Sequence, residues 1–227
     1  MPAERHTAFT LSKPAAGLAA PPIEAAVLRQ AIVQLEESEL AGMVRSYIRD
    51  RIPAAFDSTP MLWEALRHWA AARLDTEPYA IGVTGSAQVG FSCTPDKFGR
   101  KFISNGSDLD FFVVDDALYE RAAHEITHFC SMTSDSRGSH FHAQIETLRR
   151  QACRGFADLN NVPADHKRYP NCSSVNNLSS MIVDKLKLHA FHLRRSHFRV
   201  YQSWDAFWCQ TLISYQALRT KLYKQVS

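Results

Sequence analysis

The stretch Leu109-Asp110-Phe111-Phe112-Val113-Val114-Asp115 restricts the fold more than any other part of this 227-residue chain. Its length and its β-branched or aromatic content favour a short buried strand. A second run of this kind, Tyr79-Ala80-Ile81-Gly82-Val83-Thr84, closes on Gly85 and Ser86 and is expected to form a neighbouring strand. A long irregular loop separates the two runs.

Helical patterns surround these strands. From Ile23 onward, Val27, Leu28, Ala31, Ile32 and Leu35 recur at three- and four-residue intervals, the stripe of one or two amphipathic helices. Pro53 and the turn Asp57-Ser58-Thr59-Pro60 interrupt them. A further helix follows from Pro60, with Leu62, Leu66 and Trp69 on one face and an end near Leu74. Residues 117–132 and 141–152 read as helices joined by a turn, 154–174 as loop with room for one short strand, and 178–223 as mainly helical with a break or short strand at 197–202.

The fold class expected is therefore mixed α/β (α+β), a small mixed sheet with helical flanks at both ends of the chain. The organisation expected is a flexible arm over 1–22, helices over 23–75, a core over 76–172 and a mainly helical region over 173–227. A chain of this length can bury all of this in one compact unit.

Hydrophobic residues make up 45% of the chain and charged residues 22%, which excludes a fibrous or globally disordered class. A formal charge of +3 is too small for a wholesale nucleic-acid or membrane binder, but leaves room for a local basic loop that attracts phosphate. No apolar run approaches the roughly 20 residues needed to span a bilayer, and residues 1–22 lack the apolar core of a secretory signal. A cytoplasmic protein without a membrane partner is expected. The five cysteines, Cys93, Cys130, Cys153, Cys172 and Cys209, stand singly, which argues against a zinc ribbon or a disulfide scaffold and for reduced, mostly buried thiols.

Two motifs carry chemistry. On a strand, residues i and i+2 share a face, so Asp108 and Asp110 present their carboxylates side by side while Leu109 and Phe111 turn into the core. Two anions held that close call for a hard cation such as magnesium, which accepts one or two protein carboxylates and completes its shell with water and phosphate oxygens. The strand before them ends on Gly85, which permits close backbone approach, and Ser86, whose hydroxyl can bond a phosphate oxygen.

The joint pattern, an apolar strand closing on Gly85-Ser86 and then Ser107-Asp108-Leu109-Asp110-Phe111, resembles the nucleotidyltransferase superfamily typified by DNA polymerase beta and the small bacterial nucleotidyltransferases. The resemblance covers roughly Tyr79 to Asp116. It implies a sheet of nucleotidyltransferase type within 76–172, with magnesium or manganese on Asp108 and Asp110 and the β and γ phosphates of a nucleoside triphosphate cradled by Gly85, Ser86 and Ser107. The reaction implied is transfer of a nucleoside monophosphate to a hydroxyl on a nucleic-acid end, a protein or a nucleotide signal, as in bacterial defence and toxin systems. Many members carry a third carboxylate on a later strand, and Asp158, flanked by Phe156, Ala157 and Leu159, is the candidate here; Asp184 reads as a helix residue.

The loop between the two strands is longer than is usual in that family. It holds Lys97, Arg100 and Lys101 among Phe98 and Phe102, a composition suited to a triphosphate or a nucleic-acid backbone, and equally to a solvated turn.

The second motif is His124-Glu125-Ile126-Thr127-His128. On a helix, H-E-x-x-H sets two histidines one turn apart with a glutamate as general base, the pattern of zinc hydrolases. No Gly-x-x-His continuation follows, and a third ligand must come from elsewhere, with Glu146 and His142 as the nearest choices. A zinc hydrolase, or an inactive nucleotide-binding relative that serves as a partner protein, are the alternatives to the transferase. His189, His192, His197, Arg194, Arg195 and Arg199 read as a basic face, solvated or acceptor-binding. Trp204, Phe207 and Trp208 read as core anchors.

Overall fold

The computed structural model describes residues 12–16, 23–48, 51–133, 139–163 and 165–224. Most of the arm expected over 1–22, and most of the turn expected after residue 133, lie outside the described residues; within the arm, Lys13–Ala16 form a single helical turn, α1. The two amphipathic helices are α2 (Ala25–Gln34) and α3 (Glu37–Ile48). Helix α4 (Pro60–Leu74) starts on Pro60, whose fixed φ and missing N–H suit a first turn, and ends where Asp75 enters the left-handed region at φ 53°.

Strand β1 (Ile81–Thr84) runs directly into a five-residue helix, α5 (Gly85–Val89). Strand β2 (Asp108–Val114) is followed by α6 (Asp116–Thr133), α7 (Ser139–Ala152) and the short β3 (Phe156–Asp158). The chain continues through α8 (Pro170–Leu186), β4 (Arg195–Tyr201) and the long α9 (Trp204–Lys224). Helix α8 thus begins within the segment expected to be loop. Pro170 supplies its first turn.

The sheet is mixed and four-stranded, in the order β1-β2-β4-β3. Strands β1 and β2 are neighbours, as the sequence suggested, and pair antiparallel; the other neighbour of β2 is β4, parallel to it, with β3 antiparallel on the outer side. The break or short strand expected at 197–202 is thus an interior strand of seven residues, within a region otherwise expected to be mainly helical.

Alternation sorts the side chains onto two faces. Leu109, Phe111 and Val113 join Ile81, Val83, Ala157, Phe198 and Val200 in a core closed by α4, α6, α7 and α8. Phe111 stacks on its register partner Phe198 with ring centroids 4.6 Å apart. On the opposite face, Phe112, Val114, Phe156 and Tyr201 form a second core with α2, α3 and α9. Phe207 of α9 is fully buried there against Phe112 at 4.2 Å, and Trp208 is buried beside it, so both are the anchors expected. The Phe112 ring lies so close over β1 that a Cβ at Gly82 would sit 2.3 Å from it.

The second face is covered only in part. Helices α2, α3 and α9 roof the half that holds Phe112, Val114 and Tyr201. The other half, at the start of β2 and β4 and the end of β1 and β3, carries polar side chains and opens outward. No described helix is long and apolar enough to cross a membrane.

Candidate functional site

Register determines which groups meet on the open half. Thr84 pairs with Asp110, Asp110 with His197, and Asp108 with Arg195; one step further, Phe112 pairs with Arg199 and Arg199 with Asp158. All of these positions share the parity of Phe112 and so project from the same face. A cavity of about 350 Å³ lies over this face, lined among others by Thr84, Asp110, Asp158, Arg195, His197 and Arg199 but not by Asp108. That volume is near the lower end for small-molecule sites, roughly 300–1,000 Å³.

Asp108 and Asp110 face the same way, as the i, i+2 spacing requires, but their surroundings differ. Arg194 clasps Asp108 with two bonds, Nε to Oδ1 at 2.9 Å and a terminal nitrogen to Oδ2 at 2.6 Å, and Arg195 Nε donates to Oδ2 at 3.0 Å. The hydrogen bond from Arg194 is the main reason that the Asp108 carboxyl lies below its ordinary range. Asp110 has no such clasp. Its side chain opens to the cavity, yet the protein crowded behind it raises its carboxyl above the usual range, and the opposing pull of His197 and Arg199 is the smaller effect.

Gly85 adopts φ +67°, a conformation that costs a side-chain-bearing residue roughly 1–2 kcal/mol, and a Cβ there would lie 3.5 Å from Asp110 Oδ2. The glycine turn therefore stands directly against the carboxylate. Ser86 follows it, half-buried, in α5. Neither lines the cavity; Thr84 holds that position. Ser107 braces the loop before β2, its Oγ accepting the Ile103 N–H at 3.1 Å.

Asp158 does reach the cavity, from β3, one strand beyond the neighbour of β2. With adjacent strands about 4.8 Å apart, β3 stands roughly 10 Å from β2. Asp158 accepts from Asn160 Nδ2 at 3.1 Å and faces Arg199 Nε at 3.5 Å. The strand directly beside β2 carries bases instead: Arg195, His197 and Arg199. His197 Nδ1 is buried without a hydrogen-bond partner. The sequence sets these three on a basic face, solvated or acceptor-binding, with a break or short strand at 197–202, and does not set them beside Asp110. Their signal was a strict alternation, Arg195, His197 and Arg199 against Ser196, Phe198 and Val200, which is the period of a strand.

Lys97, Arg100 and Lys101 are exposed and do not line the cavity. Their loop folds back on itself through a Phe91–Lys101 bridge and the bond from Ser92 N–H to Arg100 O at 2.8 Å, and its Phe98 packs into the second core, against Phe91. A Cβ at Gly99 would meet that of Ala25 on α2 at 3.4 Å, so the tip is docked on the helical roof. The positive charge over the cavity comes from Arg195 and Arg199.

In the H-E-x-x-H segment, His124 and His128 are exposed on α6, whereas Glu125 is only 6% exposed and points the other way. Its Oε1 accepts the Asn171 N–H at 2.9 Å and also the Asn171 side-chain amide, and its Oε2 accepts the Cys172 N–H at 2.9 Å. Tyr169, the residue preceding α8, makes no side-chain cap. Glu125 performs that task from α6, satisfying the free N–H groups of the first turn. His142 and Glu146 are exposed on α7. Asp184 is a helix residue, as expected, paired with Lys187 at 2.7 Å.

Among the described residues no group of three or more His, Cys, Asp or Glu side chains converges as a metal site. Two hard carboxylates on one strand face remain the donor set. Both offer the hard oxygens that magnesium takes, Asp110 without an arginine clasp and Asp108 held by Arg194 and Arg195. All five cysteines are free, but Cys153 and Cys209 are exposed, against the expectation of mostly buried thiols. Comparisons with protein-family models, curated proteins and solved structures find no match to this chain.

Proposed function

We propose that the chain is a metal-dependent nucleotidyltransferase, which moves a nucleoside monophosphate from a nucleoside triphosphate to a hydroxyl acceptor. The observation that carries this reading is the placement of Asp108 and Asp110 on one face, with the Gly85 turn so close that a Cβ there would lie 3.5 Å from Asp110 Oδ2. The antiparallel β1–β2 pair joined through that turn supports a sheet of nucleotidyltransferase type.

Asp108 and Asp110 would hold magnesium or manganese, which when bound neutralises phosphate charge and polarises the bond that breaks. The chain's own residues do the rest. Arg195 and Arg199 draw the phosphate oxygens over the cavity, and Asp108 is freed as Arg194 and Arg195 turn from it to those oxygens. The backbone at Gly85 and Ser86 lets the triphosphate approach β1 closely. The acceptor oxygen then bonds to the α-phosphorus, the bond to the bridging oxygen breaks, and pyrophosphate leaves with that electron pair. Asp158, at the far wall, takes the hydroxyl proton. Positioning and charge stabilisation are the main sources of rate in such a reaction.

The test is incubation of the full chain with each α-phosphate-labelled nucleoside triphosphate, magnesium and cell extract. Labelled acceptor and released pyrophosphate are expected, and Asp110→Ala and Asp108→Ala abolish both while the protein stays folded. No labelling with any triphosphate overturns the proposal. A second reading, nucleotide binding without transfer, draws on the double clasp of Asp108 by Arg194 and Arg195; its mark is triphosphate binding with no pyrophosphate released.

A further inference from the structure

A second cavity, of about 270 Å³, adjoins the first and shares Arg199 with it. Its other walls are Thr147, Arg150 and Gln151 of α7, Arg154 in the turn that follows, Phe156 of β3 and Gln210 of α9. No carboxylate lines it. Neither Arg150 nor Arg154 has a carboxylate within ion-pair distance among the described residues.

The acceptors in the lining are already engaged. Gln151 Oε1 accepts the Asp158 N–H at 3.3 Å, Gln210 Oε1 accepts from Arg154 at 3.4 Å, and Thr147 Oγ1 accepts from Arg150 at 3.3 Å while donating to Ala143 O at 2.8 Å. The lining thus sets two glutamine side chains with engaged carbonyl oxygens alongside three guanidinium groups. A cavity whose lining holds three arginines and no carboxylate, with Arg199, alone of the three among the described residues, already facing a carboxylate, Asp158 at 3.5 Å, is complementary to a multiply charged anion with several acceptor oxygens. Phosphate meets that description better than a carboxylate, because its oxygens can take bidentate bonds from more than one arginine. The volume admits a phosphate group and the sugar attached to it rather than a whole cofactor.

We infer that the Arg150–Arg154–Arg199 cavity is a phosphate subsite. Its existence stands on the lining alone; assigning that phosphate to the hydroxyl acceptor rests on the transferase reading above. On that reading the acceptor is a phosphate-bearing molecule. Its phosphate would be seated beside β3 and its hydroxyl turned across Arg199 toward Asp110.

The test uses a fluorescein-labelled, 5′-phosphorylated hexanucleotide as the anisotropy probe on the full chain, with inorganic phosphate, adenosine monophosphate, unlabelled hexanucleotide and adenosine as competitors. Phosphate-bearing competitors displace the probe and adenosine does not. The double substitution Arg150→Gln/Arg154→Gln, at two exposed residues, weakens binding at least tenfold. The substitution Lys97→Gln/Lys101→Gln removes the same charge elsewhere and weakens it less than twofold. Equal losses from the two pairs, or displacement by adenosine as strong as by its monophosphate, overturn the inference. Displacement by the monophosphate at the concentration that suffices for the hexanucleotide identifies a mononucleotide as the source of the phosphate; a need for the hexanucleotide identifies a nucleic-acid chain. Asp110→Ala, which ends transfer on the earlier reading, leaves this binding in place. A parallel loss in Asp110→Ala would move the phosphate to the first cavity and refute the subsite.

Discussion

Replacing Glu125 separates the two functions that its sequence context suggests. Its carboxylate accepts the N–H groups of Asn171 and Cys172, both at 2.9 Å, and is 6% exposed. In Glu125→Ala these two donors lose their partner, at about 1–3 kcal/mol each for a buried unsatisfied group. Loss of the negative charge at the start of α8 adds about 0.3–2 kcal/mol. The expected cost is about 2–8 kcal/mol, a large part of the roughly 5–15 kcal/mol typical of a whole domain. Glu125→Gln keeps the shape and one acceptor oxygen but sets an amide N–H₂ against an N–H, and should cost about half as much. Urea unfolding followed by tryptophan fluorescence measures both. The pH dependence provides a second check. Burial pushes the Glu125 carboxyl up, but the hydrogen bonds from Cys172 and Asn171 together outweigh it and hold the group below its ordinary 4.5. A folded value below the unfolded one means that the contribution is complete above about pH 4.5 and is lost as the pH falls through the folded value. The gap between wild type and Glu125→Gln should therefore narrow in acid. A loss under 1 kcal/mol in Glu125→Ala, or stoichiometric zinc that disappears on mutating His124 and His128, would refute the capping argument.

Three further outcomes are expected. Gly82→Ala brings a Cβ to 2.3 Å from the Phe112 ring, which Phe207 holds from the other side at 4.2 Å, and should cost about 1–3 kcal/mol of overpacking; a thermal midpoint equal to wild type would show that the ring is not confined. Asp110→Asn should raise stability at pH 7, because a carboxyl whose folded value is raised destabilises the fold once ionised, and this advantage should vanish as the pH falls below the unfolded value near 3.9; a less stable variant at pH 7 contradicts the crowding assigned to that carboxylate. Thiol titration of the native chain should find two fast cysteines, Cys153 and Cys209, with Cys130 and Cys172 shielded and Cys93 pushed up to about 11 by burial; four or five fast thiols would contradict the packing.

What the sequence determined by itself is local. The shared face of Asp108 and Asp110 follows from strand alternation alone, and the limits of α4 follow from Pro60 and from the last apolar residue of its stripe, because each depends on neighbours within a few positions. That β1 and β2 are neighbours was legible for the same reason, as two short apolar runs close in the chain; their antiparallel direction came from the fold. Tertiary structure alone decided what stands beside Asp110. Residues 195–201 are a strand because they pair with 108–114 across more than 80 residues, and their alternating arginines and histidine, flanked by helices, gave a composition that reads as a solvated face until that pairing exists. The same long-range packing placed Asp158 one strand too far to be a neighbour of Asp110, docked the Lys97 loop on α2, and turned Glu125 from the histidines toward α8. A side chain's chemistry is written in the sequence. Its partner is chosen by elements that meet only when apolar burial brings distant segments together.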